Sequence, residues 1–493
     1  MKFLIIGGID LSQNKETEIQ LQYIEKCKEL LFENGSNVYR ISKSASLERT
    51  TLQRMVTGKR LPNPEFLKSF CSALRLSFSE EQELLNLYNR ELIGESAYQN
   101  QKSILHLFAH LNDLEKSNTQ PFRSVLPDGD LVLMSPIARH SCDTELLLHF
   151  IFQKLFRSEK DCVLYTNLPA NNSFLQHYLS LFSPQANSRI VIKQLLFFYS
   201  NETDTHENLE ILNEILPLCF FENICYEPYY YYRKHKISDQ EYLLFPYFII
   251  TPDHVLQLSS DLKRSILSSD PAIVRQYTDE FLQTLSHTAP LLCKPDSLDA
   301  AMTQYFGSAS PDEIFTLETS LCDSDLFSFE SLQALAAEYF SSSPDMAQNY
   351  TNLVGSLIKD SHRSSFFTRQ GVDTFCTTGV GSGTSGFLFP PLDAPHRLEA
   401  LRHFLATFDN SKKTMLNDDF VFPKTLYLEL RDNTALVFIR MEKGRPLTFL
   451  SITESSICHA FYEFFHILEK SEYACPVSEL TSLITEAESQ LNT

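Results

Sequence analysis

Seven polar residues in one short stretch carry the most definite chemistry in this chain. All of them can donate hydrogen bonds, and they are Arg49, Thr50, Thr51, Gln53, Arg54, Lys59 and Arg60. Arg and Gln can each form two hydrogen bonds to the edge of one nucleic-acid base, and the Thr methyl group can contact thymine. Lys binds phosphate as a compact positive charge, and Arg binds it through a planar guanidinium group that can donate two hydrogen bonds. The first five residues are therefore predicted to contact bases, and Lys59 and Arg60 to contact phosphates.

The charge of the surrounding segment supports this interpretation. Residues 36–75 contain eight basic and two acidic side chains, a formal charge of +6. The whole chain carries −20, so the remainder carries −26. A basic segment in an acidic protein is the electrostatic pattern expected of nucleic-acid binding.

The periodicity of this segment predicts short helices that position these side chains. Val38, Ile41 and Ala45 share one helical face, which Ser36 or Asn37 can cap. A tight corner is predicted at 46–47, followed by a second helix that begins near Glu48.

The second helix directs Leu52, Met55 and Val56 inward, and Gly58 can end it, since glycine adopts the left-handed conformation at little cost. The connector 61–64 contains two prolines, which prevent a helix from continuing. A third helix follows, with an apolar face formed by Phe66, Leu67, Phe70, Ala73 and Leu74.

Two helices joined by a short corner form the unit that places a recognition helix in the DNA major groove. The segment 41–77 resembles the Cro/C1-type helix-turn-helix family, also called the xenobiotic-response-element family of bacterial regulators. The residues that carry the resemblance are Arg49, Thr51, Leu52, Arg54, Gly58, Lys59, Arg60, Pro62, Glu65, Ala73 and Leu74. The resemblance implies that Arg49, Thr50, Thr51 and Arg54 read bases. Ser46 replaces the usual corner glycine, and Glu48 replaces the usual Ser or Thr cap.

The length of the chain, 493 residues, predicts several domains. We expect a multidomain fold, with an all-α helix-turn-helix domain followed by a larger α+β region, for which duplication of one module is an open alternative. The boundaries are a DNA-binding domain at 19–94, a linker helix at 95–125, an α+β domain at 126–295 that could be a sensor, and a second α+β domain at 296–493 for sensing or dimerisation.

In the N-terminal part, helices are predicted at 19–32 and from a cap at Ser79 to about Gly94. The helix 97–114 either connects domains as a dimerisation or signalling element or packs on the next core.

Beyond residue 130, short apolar runs alternate with helical periodicity. Strands are predicted at 131–134, 162–165, 190–199, 242–250, 255–258, 425–430, 435–440 and 447–452. Helices are predicted at 144–156, 208–216, 271–285, 310–317, 330–340 and 346–357, with a final helix capped by Thr453. Two strands followed by an acidic-capped helix occur at 247–285 and again at 426–468, which suggests a duplicated module.

Other polar clusters have weaker patterns. Gly379–Gly386 is glycine-rich but lacks the lysine of a phosphate-binding loop, so a flexible connection is predicted. The tyrosines 226–232 with the basic residues 233–236 are interpreted as an exposed loop, or as an effector contact. His140, Cys142 and Asp143 have no spacing typical of a metal or catalytic site. The pairs 418–419 and 323/325 are interpreted as solvated loop carboxylates.

The eleven cysteines are scattered without a CxxC pair, which is typical of reduced cysteine without structural zinc. No apolar run reaches membrane-spanning length, and the short run 1–9 lacks a cleavage site for a signal peptide. The expected location is the cytoplasm, with no membrane association and no cofactor.

The sequence therefore predicts a cytoplasmic, bacterial-type transcriptional regulator, without enzymatic activity, that binds double-stranded DNA as a homodimer and responds to an unknown effector, a small molecule or a peptide. The alternative is an interaction or adaptor protein whose divergent helix-turn-helix module no longer binds DNA. An enzyme with a DNA-binding head is a third possibility.

Overall fold

The computed structural model describes residues 11–117, 135–170, 174–183, 186–200, 205–221, 223–233, 244–295, 300, 311–341, 344, 347–348, 351–352, 355, 362–381, 390–409, 412–441 and 448–491. The chain divides into two compact units, Met1–Lys102 and Ser103–Thr493. The first is helical, and the second is α+β with two mixed sheets. Among the described residues, no helix is long and apolar enough to cross a membrane.

The first unit is built from amphipathic helices around one core. They are α1 (Leu11–Glu33), α2 (Val38–Ser44), α3 (Arg49–Val56), α4 (Pro64–Leu74), α5 (Phe78–Ile93) and the beginning of α6 (Glu95–Ser117). The core contains Tyr23, Leu52, Phe70 and Leu84, which come from four helices. The expected helical region at the N-terminus is confirmed.

The predicted helix ends in this unit are mostly confirmed. Asn37 caps α2, and Gly58 follows α3 with a φ of +69°. The predicted cap Ser79 is wrong, because the cap of α5 is Ser77. Its hydroxyl accepts the backbone N–H of Glu80, while the Glu80 carboxylate accepts the backbone N–H of Ser77.

The second unit begins with the rest of α6 and contains the elements of the first sheet. These are β1 (Ile137–Ala138), α7 (Ser141–Phe156), β2 (Cys162–Thr166), α8 (Phe174–Phe182), β3 (Ile190–Tyr199), α9 (Thr205–Ile215), β4 (Ile224–Arg233), β5 (Tyr247–Ile250), β6 (Val255–Leu258), β7 (Ser265–Ser268), α10 (Pro271–Leu285) and β8 (Ala289–Pro290). The strand order is β1-β7-β6-β5-β2-β3-β4-β8. The predicted strand 131–134 lies outside the described residues.

The second sheet has the order β11-β10-β9-β12-β13-β14. Its elements are β9 (Ile314–Glu318), α11 (Asp323–Leu326), α12 (Phe329–Tyr339), β10 (Arg363–Thr368), α13 (Arg369–Thr378), α14 (Ala394–Thr407), β11 (Lys413–Leu416), β12 (Leu426–Arg431), β13 (Ala435–Arg440), β14 (Thr448–Ile452), α15 (Ser455–Leu468) and α16 (Val477–Leu491). The cap of α15 is Glu454 instead of the predicted Thr453, because the Glu454 carboxylate accepts the N–H groups of Ser456 and Ile457.

The two sheets share one connectivity. In the first, β2, β3 and β4 are parallel neighbours, and β5, antiparallel to β2, starts the meander β5-β6-β7 that leads to α10. In the second, β9, β10 and β11 are parallel neighbours, and β12, antiparallel to β9, starts the meander β12-β13-β14 that leads to α15. The predicted similarity between 247–285 and 426–468 is the second half of this shared topology.

Both sheets contribute to one hydrophobic core. It contains Leu164 and Ile192 of the first sheet and Leu317 and Leu428 of the second. Phe108 of α6 lies in the same core, which supports the expectation that the helix 97–114 packs on the domain that follows it. The two sheets are therefore halves of one packed structure.

Two segments have a different structure from the one predicted. The helix predicted at 310–317 is wrong, because Ile314–Glu318 forms β9 between β10 and β12. All five residues of this strand are buried, so its apolar run does not alternate with polar residues. The exposed loop predicted at 226–232 is also wrong. These tyrosines belong to the ten-residue strand β4, which pairs with β3 along its length, and aromatic residues favour strands.

Candidate nucleic-acid interface

The candidate interface is built on α2, α3 and the corner between them. Ala45 ends α2, and Ser46 follows with a φ of +56°, in the left-handed region that a corner glycine usually provides. Leu52, Met55 and Val56 anchor α3 through its buried face. The opposite face of α3 is thereby directed to solvent.

The structure places the predicted DNA-contacting residues together on the surface of this unit. Six of them are exposed, and these are Arg49, Thr50, Gln53, Arg54, Lys59 and Arg60. Thr51 is half-buried. The guanidinium of Arg49 lies 5.6 Å from the centre of the Tyr39 ring of α2, which orients this side chain by a cation–π contact.

Lys59 and Arg60 follow the C-terminus of α3, in a turn that other elements hold in place. The backbone N–H of Lys59 donates to the carbonyl of Arg54, 2.9 Å away. The Gln20 side chain of α1 donates to the Gly58 carbonyl, 3.4 Å away. The hydroxyl of Tyr88 donates to the Pro62 carbonyl at 2.7 Å, which attaches the connector to α5. These bonds keep the two cations next to the end of α3.

Glu48 is the acidic side chain within this surface. The hydroxyls of Thr50 and Thr51 donate to its carboxylate, the second at 2.6 Å. These bonds lower the pKa of Glu48, and the positive charges of Arg54 and Arg60 lower it further. Glu48 is therefore ionised at neutral pH, and it holds two of the hydroxyls that the sequence assigns to base contacts.

The other candidates predicted from the sequence lie in the second unit and form no metal site among the described residues. His140 and Cys142 are exposed at the start of α7, and Asp143 lies in its first turn. Among the described residues, no group of three His, Cys, Asp or Glu side chains is placed to hold a metal ion. Gly379 ends α13 with a φ of +72°, while residues 382–389 of the glycine-rich stretch lie outside the described residues.

The sequence interpretation missed a buried ionic cluster on one face of the second sheet. We call it the Arg363 cluster, and it consists of Glu318, Asp323, Asp325, Arg363 and Lys413. One Asp325 oxygen lies 2.5 Å from Nη2 of Arg363 and 3.3 Å from Nζ of Lys413. Asp323 and Asp325 are only 4% and 5% exposed, so the prediction that they are solvated loop charges is wrong.

Glu318 is a buried carboxyl group of this cluster, and its pKa is raised. Burial and, to a smaller extent, the negative charge of the nearby Asp323 raise the pKa of Glu318 to about 8, although Cys322 and Arg363 lower it. The sequence did contain one sign of this cluster, namely the polar residues that follow the apolar run of β9. Functional polar groups often lie at the carboxyl ends of parallel strands. The helix predicted over 310–317 concealed this signal.

Comparison of the chain with protein-family models finds no matching family, and comparison with curated proteins finds no similar protein either.

Proposed function

We propose that the chain is a sequence-specific DNA-binding transcriptional regulator. The observation that carries the proposal is the exposed face of α3, where Arg49, Gln53 and Arg54 lie beside Lys59 and Arg60. The pair α2 and α3, joined by a corner with positive φ at Ser46, would act as a helix-turn-helix. In this arrangement α3 enters the major groove, and Lys59 and Arg60 bind the phosphates beside it.

The charge distribution supports contact through this unit. The segment 36–75 carries +6 in a chain of −20, so the rest of the protein repels DNA and favours contact through the basic face. A single short helix makes few base contacts. We therefore propose a homodimer, which would double these contacts on a two-fold symmetric site.

A second candidate function, binding of another protein through the first unit, has its own support. The ionised Glu48 lies on the proposed DNA-contacting face, where it would repel phosphates. Phe32 and Phe78 in the same unit are also 85% and 80% exposed. This alternative makes the chain an adaptor that does not bind DNA.

A binding titration distinguishes the two functions. The purified protein is titrated with labelled DNA from upstream of its own coding sequence, and with a scrambled duplex of equal composition, at two salt concentrations. A regulator binds the upstream DNA more tightly, and its affinity falls steeply with salt, because several phosphates are contacted. Equal affinity for both duplexes would contradict the proposal.

Arg54→Ala is the sharpest variant for this titration. We expect it to weaken specific binding by about 1–3 kcal/mol and to relax the preference at one base pair. Arg275→Ala is the matched control, because Arg275 is also an exposed helical arginine but lies on α10 of the second unit. An equal loss in both variants would show a general charge effect and overturn the assignment of Arg54.

A further inference from the structure

A cavity of about 1090 Å³ opens at the carboxyl ends of the parallel strands of the second sheet. Thr319 follows β9, Thr368 ends β10, and Asn417 follows β11, and all three line the cavity. Ligands of open α/β sheets bind outside the carboxyl ends of their strands, in clefts of roughly 300–1,000 Å³. The position and the size both fit a small organic ligand.

One wall of this cavity is fixed by direct backbone packing. Gly371, in the first turn of α13, lies so close to β9 that an added Cβ atom would be 1.7 Å from the Thr319 carbonyl oxygen. The hydroxyl of Thr368 donates to the same carbonyl at 2.8 Å. The ends of β9 and β10 and the start of α13 therefore form a preorganised surface.

The lining has a cationic and an apolar component. Among the described lining residues, the cations are Lys116, Arg369 and Lys424 and the acidic residues are Asp373 and Asp418, although the whole chain is strongly acidic. Arg369 also binds Glu479 at 2.6 Å, and Lys116 lies 3.8 Å from Asp113. The apolar component consists mainly of Phe420, Val421, Phe422 and Met441. This combination suits an organic anion with an apolar body.

The cavity is also part of the packing of α6. Asn112 and Lys116 of this helix line the cavity. The ring of Phe108, one helical turn before Asn112, lies 6.2 Å from that of Phe420 and 5.0 Å from that of Phe422. An occupant would therefore touch both α6 and the aromatic side chains that hold it.

A carboxylate clamp joins α6 to the same wall. Glu115 accepts hydrogen bonds from the backbone N–H groups of Lys424 and Thr425, both at 3.0 Å. The earlier part of α6, up to Lys102, belongs to the first unit. The helix α6 therefore contains residues of both units.

We propose that this cavity binds an organic anion with an apolar body, and that its occupancy stabilises the part of α6 in the second unit. The consequence for DNA binding rests on the function proposed above. Binding in the cavity and the response of α6 do not depend on that function, and they can be measured without DNA.

The probe is 1-anilinonaphthalene-8-sulfonate, an aromatic anion whose fluorescence rises on binding, and uncharged 1-anilinonaphthalene is its control. Two variants form a matched pair on α13, Thr374→Trp and Thr377→Trp. Both threonines are exposed, and each hydroxyl donates at 2.8 Å to the carbonyl four residues earlier. Thr374 lines the cavity, whereas Thr377 does not.

We expect saturable binding of the sulfonate to the wild-type protein, and about tenfold weaker binding of the uncharged analogue. Thr374→Trp should weaken sulfonate binding at least about tenfold by filling the cavity, while Thr377→Trp leaves it unchanged. The wild-type chain has no tryptophan, so the emission of each variant reports directly whether its substituted helix is folded. Equal binding by both variants, or equal binding of both probes, would overturn the proposal.

A second pair of variants tests the charge preference. Val421 and Val477 are 43% and 39% exposed, but only Val421 lines the cavity. Val421→Asp should weaken sulfonate binding several-fold through repulsion, and Val477→Asp should not. A similar loss in both would place the probe elsewhere on the protein.

Hydrogen exchange measures the response of α6. The probe should slow exchange in peptides that cover residues 103–117 of the wild-type protein, and it should not do so in Thr374→Trp. Unchanged exchange in the wild type would overturn the coupling. If exchange responds while no DNA is bound under any condition, the DNA-binding function fails and the cavity proposal stands.

Discussion

Glu48 is the residue on which the two candidate functions differ most directly. Its carboxylate accepts the hydroxyls of Thr50 and Thr51, beside the arginines that would approach DNA. In a regulator this carboxylate lowers affinity through phosphate repulsion. In an adaptor that does not bind DNA, this carboxylate has no effect on affinity for DNA.

Glu48→Gln is therefore expected to increase DNA affinity about threefold at low salt, because it removes a negative charge near the phosphates while its amide oxygen still accepts from one of the two threonines. The increase should diminish at high salt. Binding titrations at two salt concentrations measure this effect. Glu330→Gln, which changes an exposed carboxylate in the first turn of α12, is the control and should leave affinity unchanged.

The raised pKa of Glu318 makes the free energy of unfolding depend on pH, and the direction of the shift determines the direction of that dependence. Its pKa is about 8 in the folded chain against 4.5 for an unperturbed glutamate. Between these values the folded state binds the extra proton, so the free energy of unfolding falls as the pH rises from about 5 to 8. Below this window the carboxyl group is protonated in both states and contributes no pH dependence.

Glu318→Gln should remove this dependence, because glutamine resembles the protonated acid and does not ionise. The variant should gain stability over the wild type as pH rises from 5 to 8, with a shift in the unfolding midpoint of roughly 1–2 °C for each kcal/mol in a unit of this size. Thermal unfolding at several pH values measures it. A constant difference across this range would show that Glu318 is already ionised in the folded protein.

At the scale of elements, the turn after α3 shows how one position can determine local structure. Gly58 has a φ of +69°, and an added Cβ atom would lie 2.3 Å from Cδ1 of Ile24. Gly35, after α1, has a φ of +58°, but a Cβ atom added there would have nothing within 4 Å. The two glycines thus share the left-handed backbone and differ in the space around them.

Gly35→Ala should lower the stability of the first unit by about 1–2 kcal/mol through backbone strain alone. Gly58→Ala should lower it by about 1–3 kcal/mol more, because Ile24 must move within a packed structure. Chemical denaturation monitored by helical circular dichroism compares the two. Equal losses would show that Ile24 accommodates the methyl group freely.

The elements that could be predicted from sequence are those whose pattern has one interpretation. The strands 190–199 and 255–258 and the helix 271–285 have the predicted bounds, because apolar runs, a proline start and an acidic cap all agree there. The exposed cations of α3 were predictable for the same reason, since its buried residues fix the opposite face.

Other elements depended on contacts that a local pattern does not contain. Ile314 and Leu317 have helical spacing, and only the neighbours β10 and β12 make that segment a strand. The Arg363 cluster joins residues almost a hundred positions apart, from Glu318 to Lys413. The cavity is likewise formed by strand ends, α13 and α6, which come together only in the folded chain.

At the scale of the whole molecule, the two sheets of the second unit share a core while the first unit has its own. Packing of this kind should make the two sheets unfold together. The first unit, which is connected through α6, should unfold as a separate transition.

Differential scanning calorimetry of three core variants tests this expectation. Leu164→Ala in the first sheet and Leu428→Ala in the second should each lower the free energy of unfolding by about 2–5 kcal/mol. Both should therefore lower the temperature of the same calorimetric transition. Leu52→Ala in the first unit should lower the other transition. If Leu164→Ala and Leu428→Ala lowered different transitions, the two sheets would be independent domains.

The shared connectivity of the two sheets has a consequence for how this protein could have evolved. Ile190 begins β3 opposite the first residue of β2, and Arg363 begins β10 opposite the first residue of β9. One equivalent position is thus aliphatic, and the other is a buried charge. Two identical subunits must accept every mutation twice, whereas fused copies of an ancestral module diverge separately. Two sheets of one chain can therefore hold an aliphatic residue at one such position and a buried charge at the other.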